Sequence, residues 1–296
     1  MKSISILLTD HRSINENIVL KSINKLRNSK LKKIYFIGDK NSFLKIFKIT
    51  KSYKKFIFID IAIKKNNYKK YIKDILKKSL KLFNEKKISC LINMPLNKKK
   101  YLDKKFSGFT EMFSYFFDKK KNENMLLYNP YFSVCPITTH IKLKDVEKNI
   151  NKKKLFNTIV NINHFFKNIV KKKNIKIKIL GLNPHASKDL NNAKIDKDIL
   201  KKIVKKFKSK INIEGPVSAD TAFLKTKNSV FIGMYHDQVL IPFKMKNEFN
   251  GINITIGKKL IRLSPDHGTA INLVGKIKSI NTKSFINCVK FCEKYI

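Results

Sequence analysis

The chain is predicted to be an α/β protein with a mostly parallel sheet and helices on both faces. Three observations predict this. Short apolar runs recur at Ser3–Leu8, Lys33–Gly38, Phe56–Ile63 and Ser89–Met94. Amphipathic stretches at helical spacing alternate with them, as at Asn15–Leu26 and Tyr68–Phe83. Most apolar runs also end abruptly in a polar cluster, which is how a buried strand delivers reactive side chains to the edge of such a sheet.

The early runs end in Gly38-Asp39 and in Pro95-Leu96-Asn97-Lys98. From Phe106 the texture changes, and Ser107-Gly108-Phe109-Thr110-Glu111 reads as a turn entering an aromatic helix. Met125–Tyr128 and Phe132–Ile137 read as strands, the second delivering Thr138-Thr139-His140. Leu143–Val170 reads as helical, split near Asn151. Ile175–Leu182 alternates as a strand and delivers Asn183-Pro184-His185; Ile195–Phe207 and Lys283–Tyr295 read as helices. The richest stretch is Gly233–Gly275. There Ser229–Met234 leads into Tyr235-His236-Asp237-Gln238, and the apolar run Ile252–Leu263 leads into Asp266-His267-Gly268-Thr269.

Composition bounds the function. At 296 residues and 43% hydrophobic content the chain can bury a real core, and its length suggests about two domains. No apolar run is long enough for a membrane span, and the start MKSISILLTDHRS meets charge too early for a secretory signal. A cytoplasmic protein with no membrane partner is expected. Cys90, Cys135, Cys288 and Cys292 follow no zinc or redox spacing and read as reduced packing residues. The formal charge of +44 invites a nucleic-acid reading. However, only Arg12, Arg27 and Arg262 among the 65 basic residues are arginine, and the lysines run along the whole chain. Drift toward Lys, Asn, Ile and Phe is the preferred explanation, and nucleic-acid binding the minority one. A Gly-x-Gly-x-x-Gly fingerprint, a Walker loop and a Gly-x-Ser-x-Gly elbow are all absent.

Of six histidines, His164 sits in a helical apolar pattern and His11 is expected at the surface. His140, His185, His236 and His267 each trail a predicted strand. Several imidazoles at strand ends, beside Thr or Asp, favour a divalent metal with an open position, although sequence cannot show that they converge.

These segments resemble the 4-hydroxythreonine-4-phosphate dehydrogenase family, relatives of isocitrate and isopropylmalate dehydrogenases. The matching pieces are Met94-Pro95-Leu96-Asn97-Lys98, Thr138-Thr139-His140, Gly181-Leu182-Asn183-Pro184-His185-Ala186, Gly215-Pro216 with Ala219-Asp220-Thr221, Tyr235-His236-Asp237-Gln238, Asn253-Ile254-Thr255-Ile256-Gly257 and Asp266-His267-Gly268-Thr269-Ala270. They occur in the family's order from about residue 90 onward and are specific only in combination. The resemblance implies two α/β/α domains with an active-site cleft, spanning 1–105 plus 265–296 on the nucleotide side and 106–264 on the metal, substrate and dimer side. It implies a homodimer with a shared active site. It places metal ligands at His140, His185 and His236, drawn from both subunits, for Zn²⁺ or alternatively Mg²⁺ or Co²⁺. Substrate contacts fall on Phe109, Thr110, Lys244, Asn253 and Arg262, and NAD or NADP contacts on His267, Gly268, Thr269 and Asn272. Asp220 and Asp237 are candidate bases, or partners that orient a His ligand. The implied reaction is oxidation of 4-phosphohydroxy-L-threonine to a 3-oxo acid that loses CO₂, in pyridoxal phosphate biosynthesis.

The sequence also departs from the family. The glycine-rich turn after the first strand reads Thr9-Asp10-His11-Arg12-Ser13-Ile14-Asn15, which lacks glycine's freedom of close approach. Phe109 stands where the family has a substrate-contacting His, Asn272 where it has Asp, and Ser187-Lys188-Asp189-Leu190-Asn191-Asn192 where it has a glycine-rich loop. A weakened dehydrogenase follows. The alternatives are a related dehydrogenase of another phosphorylated hydroxy acid, or a relic with a basic nucleic-acid-binding surface.

Overall fold

The computed structural model describes residues 2–117, 122–190 and 194–296. Asn191 and Asn192, in the altered loop, lie outside the described residues. The chain forms two compact units.

The first unit comprises Met1–Lys121, Phe249–Ile254 and Lys259–Ile296. It opens with strands β1 (Ile4–Leu7), β2 (Ile34–Gly38), β3 (Phe56–Asp60) and β4 (Cys90–Asn93). Helices α1 (Asn15–Lys21) and α2 (Ile23–Arg27) follow β1, α3 (Leu44–Thr50) follows β2, and α4 (Tyr68–Asn84) joins β3 to β4. The short α5 (Lys98–Tyr101) and the aromatic α6 (Phe109–Phe117) come next. Asn67 starts α4 by accepting the Lys70 N–H, and Ile72, Ile75, Leu76, Ser79 and Leu82 form its buried stripe. Ser79 on that stripe meets Ser5 of β1, with the two hydroxyls 2.6 Å apart.

The second unit comprises Asn122–Glu248 and Thr255–Lys258. Its strands are β5 (Asn124–Tyr128), β6 (Phe132–Pro136), β7 (Lys176–Leu180), β8 (Ile213–Val217) and β9 (Ser229–Gly233), in the order β5-β6-β9-β7-β8. The tight β5–β6 hairpin is antiparallel; β6–β9, β9–β7 and β7–β8 are parallel. Its helices are α7 (Lys152–His164), α8 (Lys201–Phe207), α9 (Ala219–Ala222) and α10 (His236–Asn247). Phe132, Phe231, Val239 and Phe243 centre its core.

The chain then returns to the first unit with the start of β10 (Ile252–Ile256), whose last two residues belong to the second unit, then β11 (Ile261–Pro265) and the closing helix α11 (Lys283–Tyr295). The sheet order there is β3-β2-β1-β4-β11-β10, and every pair from β3 to β11 is parallel. All four cysteines are free and buried.

Two expectations change. The run Ile252–Leu263 is two strands, because Gly257 turns the chain at φ +89°; a Cβ there would stand 2.6 Å from both the Asn122 carbonyl and the Asn161 amide. Leu143–Asn149 forms two short 3₁₀ turns, and α7 begins only where the Asn151 side chain caps Lys154 N–H at 2.9 Å. Separately, helix α10 runs through Pro242, since burial of Val239, Leu240 and Phe243 outweighs the missing N–H. No helix among the described residues is long and apolar enough to cross a membrane.

Candidate active site

In the second unit the ends of β6 and β9 stay zipped beyond the sheet. Ile137 N–H donates to Gly233 (2.7 Å), and the Thr138 hydroxyl donates to the Met234 carbonyl (2.6 Å). This closure brings His140 and His236 together, with ring centroids 5.6 Å apart and planes at 41°. Gly233 lets α10 fold back on its strand; a Cβ would come within 2.4 Å of Val239. Gln238 then locks the corner, accepting the Met234 N–H and donating to the Gly181 carbonyl, each at 2.7 Å. His236 Nδ1 lies 2.6 Å from Asp237 Oδ1. With Nδ1–H donated to the carboxylate, Nε2 keeps its lone pair for a ligand.

His185 follows β7 in a left-handed run: His185, Ala186 and Ser187 have φ of 52°, 53° and 57°. Three consecutive non-glycine residues there need an anchor. Asp196, only 1% exposed, supplies it by accepting from Leu182 N–H (2.7 Å), Asn183 N–H (3.3 Å), the Asn183 amide (3.0 Å) and the Ser187 hydroxyl. Sequence reading passed over Asp196. Its only signal was an acidic residue amid Ile195, Ile199 and Leu200 at the head of a predicted helix. His185 itself is exposed, with Nδ1 3.2 Å from Asp189. Among the described residues no group of three or more His, Cys, Asp and Glu side chains is arranged to hold a metal ion. One chain therefore pairs His140 with His236 and does not complete the expected triad. Asp220 is exposed on α9 and accepts its neighbour Thr221's N–H at 2.9 Å, and Lys244 is exposed two turns along α10 from His236.

In the first unit Arg262 projects from β11 and is 3% exposed. Its Nε donates to Asn93 Oδ1 (2.5 Å) and its Nη1 to Thr110 Oγ1 (3.2 Å), while Phe109 lies beneath it with ring centre 5.3 Å from the guanidinium carbon. Burial lowers its pKa to about 10, against the opposing pull of Cys288 and Glu111, and leaves it cationic at neutral pH. Glu111 Oε2 and Asn253 Oδ1 are buried with no hydrogen-bond partner among the described residues. Two orphaned acceptors suit a ligand that brings N–H or O–H donors.

The expected cofactor segment follows β11. Ala270 is left-handed (φ 43°), and the space beside Gly268 is open, so that its backbone can be approached closely. Thr269 accepts the Ile14 N–H (3.3 Å), and His267 Nδ1 lies 2.9 Å from the Gly268 carbonyl. Asn272 is exposed in a short turn.

The turn after β1 is built from side chains. Buried Asp10 accepts from Tyr101 O–H (2.9 Å), Arg12 N–H (3.0 Å) and Asn97 N–H (3.1 Å). The Asn15 amide donates to the Pro95 carbonyl at 2.8 Å. His11 is not a surface residue as expected: it is half-buried and stacks on Tyr68 at 5.8 Å. Burial, and then the charges of Arg12 and Lys100 against that of Asp10, hold its pKa below the ordinary value.

These two units have the fold of the isocitrate and isopropylmalate class of dehydrogenases. Isocitrate dehydrogenase of Methylococcus capsulatus superposes with a TM-score of 0.53 over 98% of this chain and 84% of that one, at 11% identity. The crystal structure of 4-hydroxythreonine-4-phosphate dehydrogenase from Klebsiella pneumoniae superposes with a TM-score of 0.78 over 99% and 97%, at 21% identity. The profile of the family described as pyridoxal phosphate biosynthetic protein PdxA matches residues 3–292. A 4-hydroxythreonine-4-phosphate dehydrogenase of Sulfurihydrogenibium sp. (strain YO3AOP1) is 34% identical over 93% of both chains. The chain belongs to the PdxA family, dehydrogenases of pyridoxal phosphate biosynthesis that act on a CH–OH group.

Proposed function

We propose that the chain oxidises the secondary hydroxyl of 4-phosphohydroxy-L-threonine with NAD or NADP and a divalent ion, zinc above magnesium or cobalt. The hydroxyl proton passes to a base, for which Asp237 and Asp220 are the candidates, and the hydride passes to the nicotinamide. The product, 2-amino-3-oxo-4-phosphooxybutanoate, releases CO₂ and leaves 3-amino-2-oxopropyl phosphate. A divalent ion held by His140, His185 and His236 would stabilise negative charge on the reacting oxygen. Arg262 supplies a desolvated positive charge for phosphate or carboxylate, with Thr110 fixing its fork. Glu111 Oε2 and Asn253 Oδ1 offer acceptors to the ammonium end.

The observation that carries this reading is the His140–His236 pair, with Asp237 on Nδ1 of His236. Centroids 5.6 Å apart are compatible with two imidazoles of one tetrahedral ion at about 2.0–2.1 Å per nitrogen. The incomplete set within one chain agrees with a homodimer whose ligands come from both copies. A self-association face is supported by Ile241 and Met245, which stand one turn apart on α10 and are 56% and 80% exposed. We place the protein in the cytoplasm and assign the spread basic charge no nucleic-acid partner.

The test is NADH or NADPH formation from 4-phosphohydroxythreonine, with and without Zn²⁺, beside His236→Ala. Metal-dependent turnover lost in the variant supports the reading. Absence of turnover from folded, metal-loaded protein overturns it. Phe109 favours a second reading, in which the substrate is another phosphorylated hydroxy acid, because its ring fills space against Arg262 where a hydrogen-bonding group would recognise substrate.

A further inference from the structure

The order β3-β2-β1-β4 reverses the direction of chain winding between β1 and β4. In open parallel sheets, ligands bind outside the carboxyl ends of the strands at such a point. The segments leaving that edge are the β1 turn, Thr9–Ile14, and the segment after β4, Met94–Tyr101. The expected cofactor segment leaves the parallel neighbour β11, and the Ile14–Thr269 hydrogen bond ties it to the β1 turn.

The side chains here share one character. Tyr68 carries two cationic groups, with Lys100 Nζ 4.0 Å from its ring centre and the Arg12 guanidinium carbon 5.8 Å, while the His11 ring stacks on it at 5.8 Å. Lys100 Nζ is buried without a hydrogen-bond partner among the described residues. Asp10, the carboxylate within the turn, already accepts from Tyr101, Arg12 N–H and Asn97. An ammonium without a hydrogen-bond acceptor and a guanidinium, both held at one aromatic ring, form an arrangement that a phosphate group would complete.

We infer that Arg12 and Lys100 form a phosphate grip for the dinucleotide at the β1–β4 switch point, replacing the backbone approach that a glycine turn would allow. The inference rests on the nicotinamide cofactor of the proposed function. It gives the altered turn a binding role and assigns one of the three arginines. The group held is a phosphate, from either the pyrophosphate bridge or a 2′-phosphate.

The experiment is direct titration of the substrate-free protein with NADH and with NADPH, followed by calorimetry or nicotinamide fluorescence. Wild type is compared with Arg12→Ala, Lys100→Met and Arg12→Lys. Arg12 is exposed, so Arg12→Ala keeps the fold even where Lys100→Met does not. The expected result is dissociation constants raised about tenfold in Arg12→Ala, the value for one lost charged hydrogen bond, with partial recovery in Arg12→Lys. Weakening of both dinucleotides assigns the pyrophosphate; weakening of NADPH alone assigns the 2′-phosphate. A wild type that binds a dinucleotide with an affinity Arg12→Ala leaves unchanged overturns the grip alone. A folded wild type that binds neither dinucleotide overturns the grip and the cofactor reading together.

Discussion

Asp196 holds Asn183 at two points, its backbone N–H at 3.3 Å and its side-chain amide at 3.0 Å. The same carboxylate reaches Leu182 N–H and the Ser187 hydroxyl, so it spans both sides of the left-handed His185. Asp196→Ala strips an acceptor from four donors. Each donor left buried and unsatisfied costs about 1–3 kcal/mol, so a loss of at least about 3 kcal/mol is expected. The urea midpoint measures it; a midpoint within error of wild type would remove Asp196 from this role.

Asp237→Asn should leave the fold intact, since Asp237 is 69% exposed, yet alter His236. The carboxylate fixes the imidazole tautomer, and loss of such a partner lowers metal affinity about 10–100-fold. Competition against a chelating dye reads this directly. Equal zinc affinity in the two proteins would mean that Asp237 does not orient a ligand.

Phe109→His restores a hydrogen-bonding group beside Arg262. One regained charged hydrogen bond corresponds to about tenfold or more in kcat/KM when made in the transition state. Phe109 is also part of the buried core, so the thermal midpoint should fall as activity rises. A drop in both would show that the aromatic ring is there for a different substrate.

The depressed pKa of His11 makes a signed prediction for stability. Below about pH 6.5 the unfolded chain binds a proton that the folded chain resists, so stability rises with pH in that window and falls on acidification. His11→Phe keeps a ring against Tyr68 and removes the proton site. Its unfolding midpoint should fall less than the wild-type midpoint between pH 7 and pH 5. Parallel profiles would refute the assignment.

Spread lysine charge should attract duplex DNA only weakly. Any complex at low salt is expected to vanish near physiological ionic strength in a gel-shift titration. Persistence there would revive a nucleic-acid function.

Local pattern was enough for much of this molecule. Apolar runs specify β1, β2, β4, β6 and β9, because a strand buried on both faces must be apolar along its length, and alternation of Lys and Ile specifies β7, which buries one face more than the other. The strand-end motifs also put His140, His185 and His236 at sheet edges, because a polar cluster cannot continue a buried strand. Periodicity could not show that Gly257 breaks one apolar run into β10 and β11, since the reason lies in the distant Asn122 and Asn161. It could not separate Asp196 from other acidic residues, because its role depends on donors 9 to 14 residues away in the chain. Nor could it show that Asp10, in the turn that lacks the family's glycines, ties that turn to Asn97 and Tyr101. Sequence by itself determined which segments are strands and which residue types end them. Tertiary structure alone decided which of those ends meet, because hydrogen bonds and packing between distant segments carry no local periodicity.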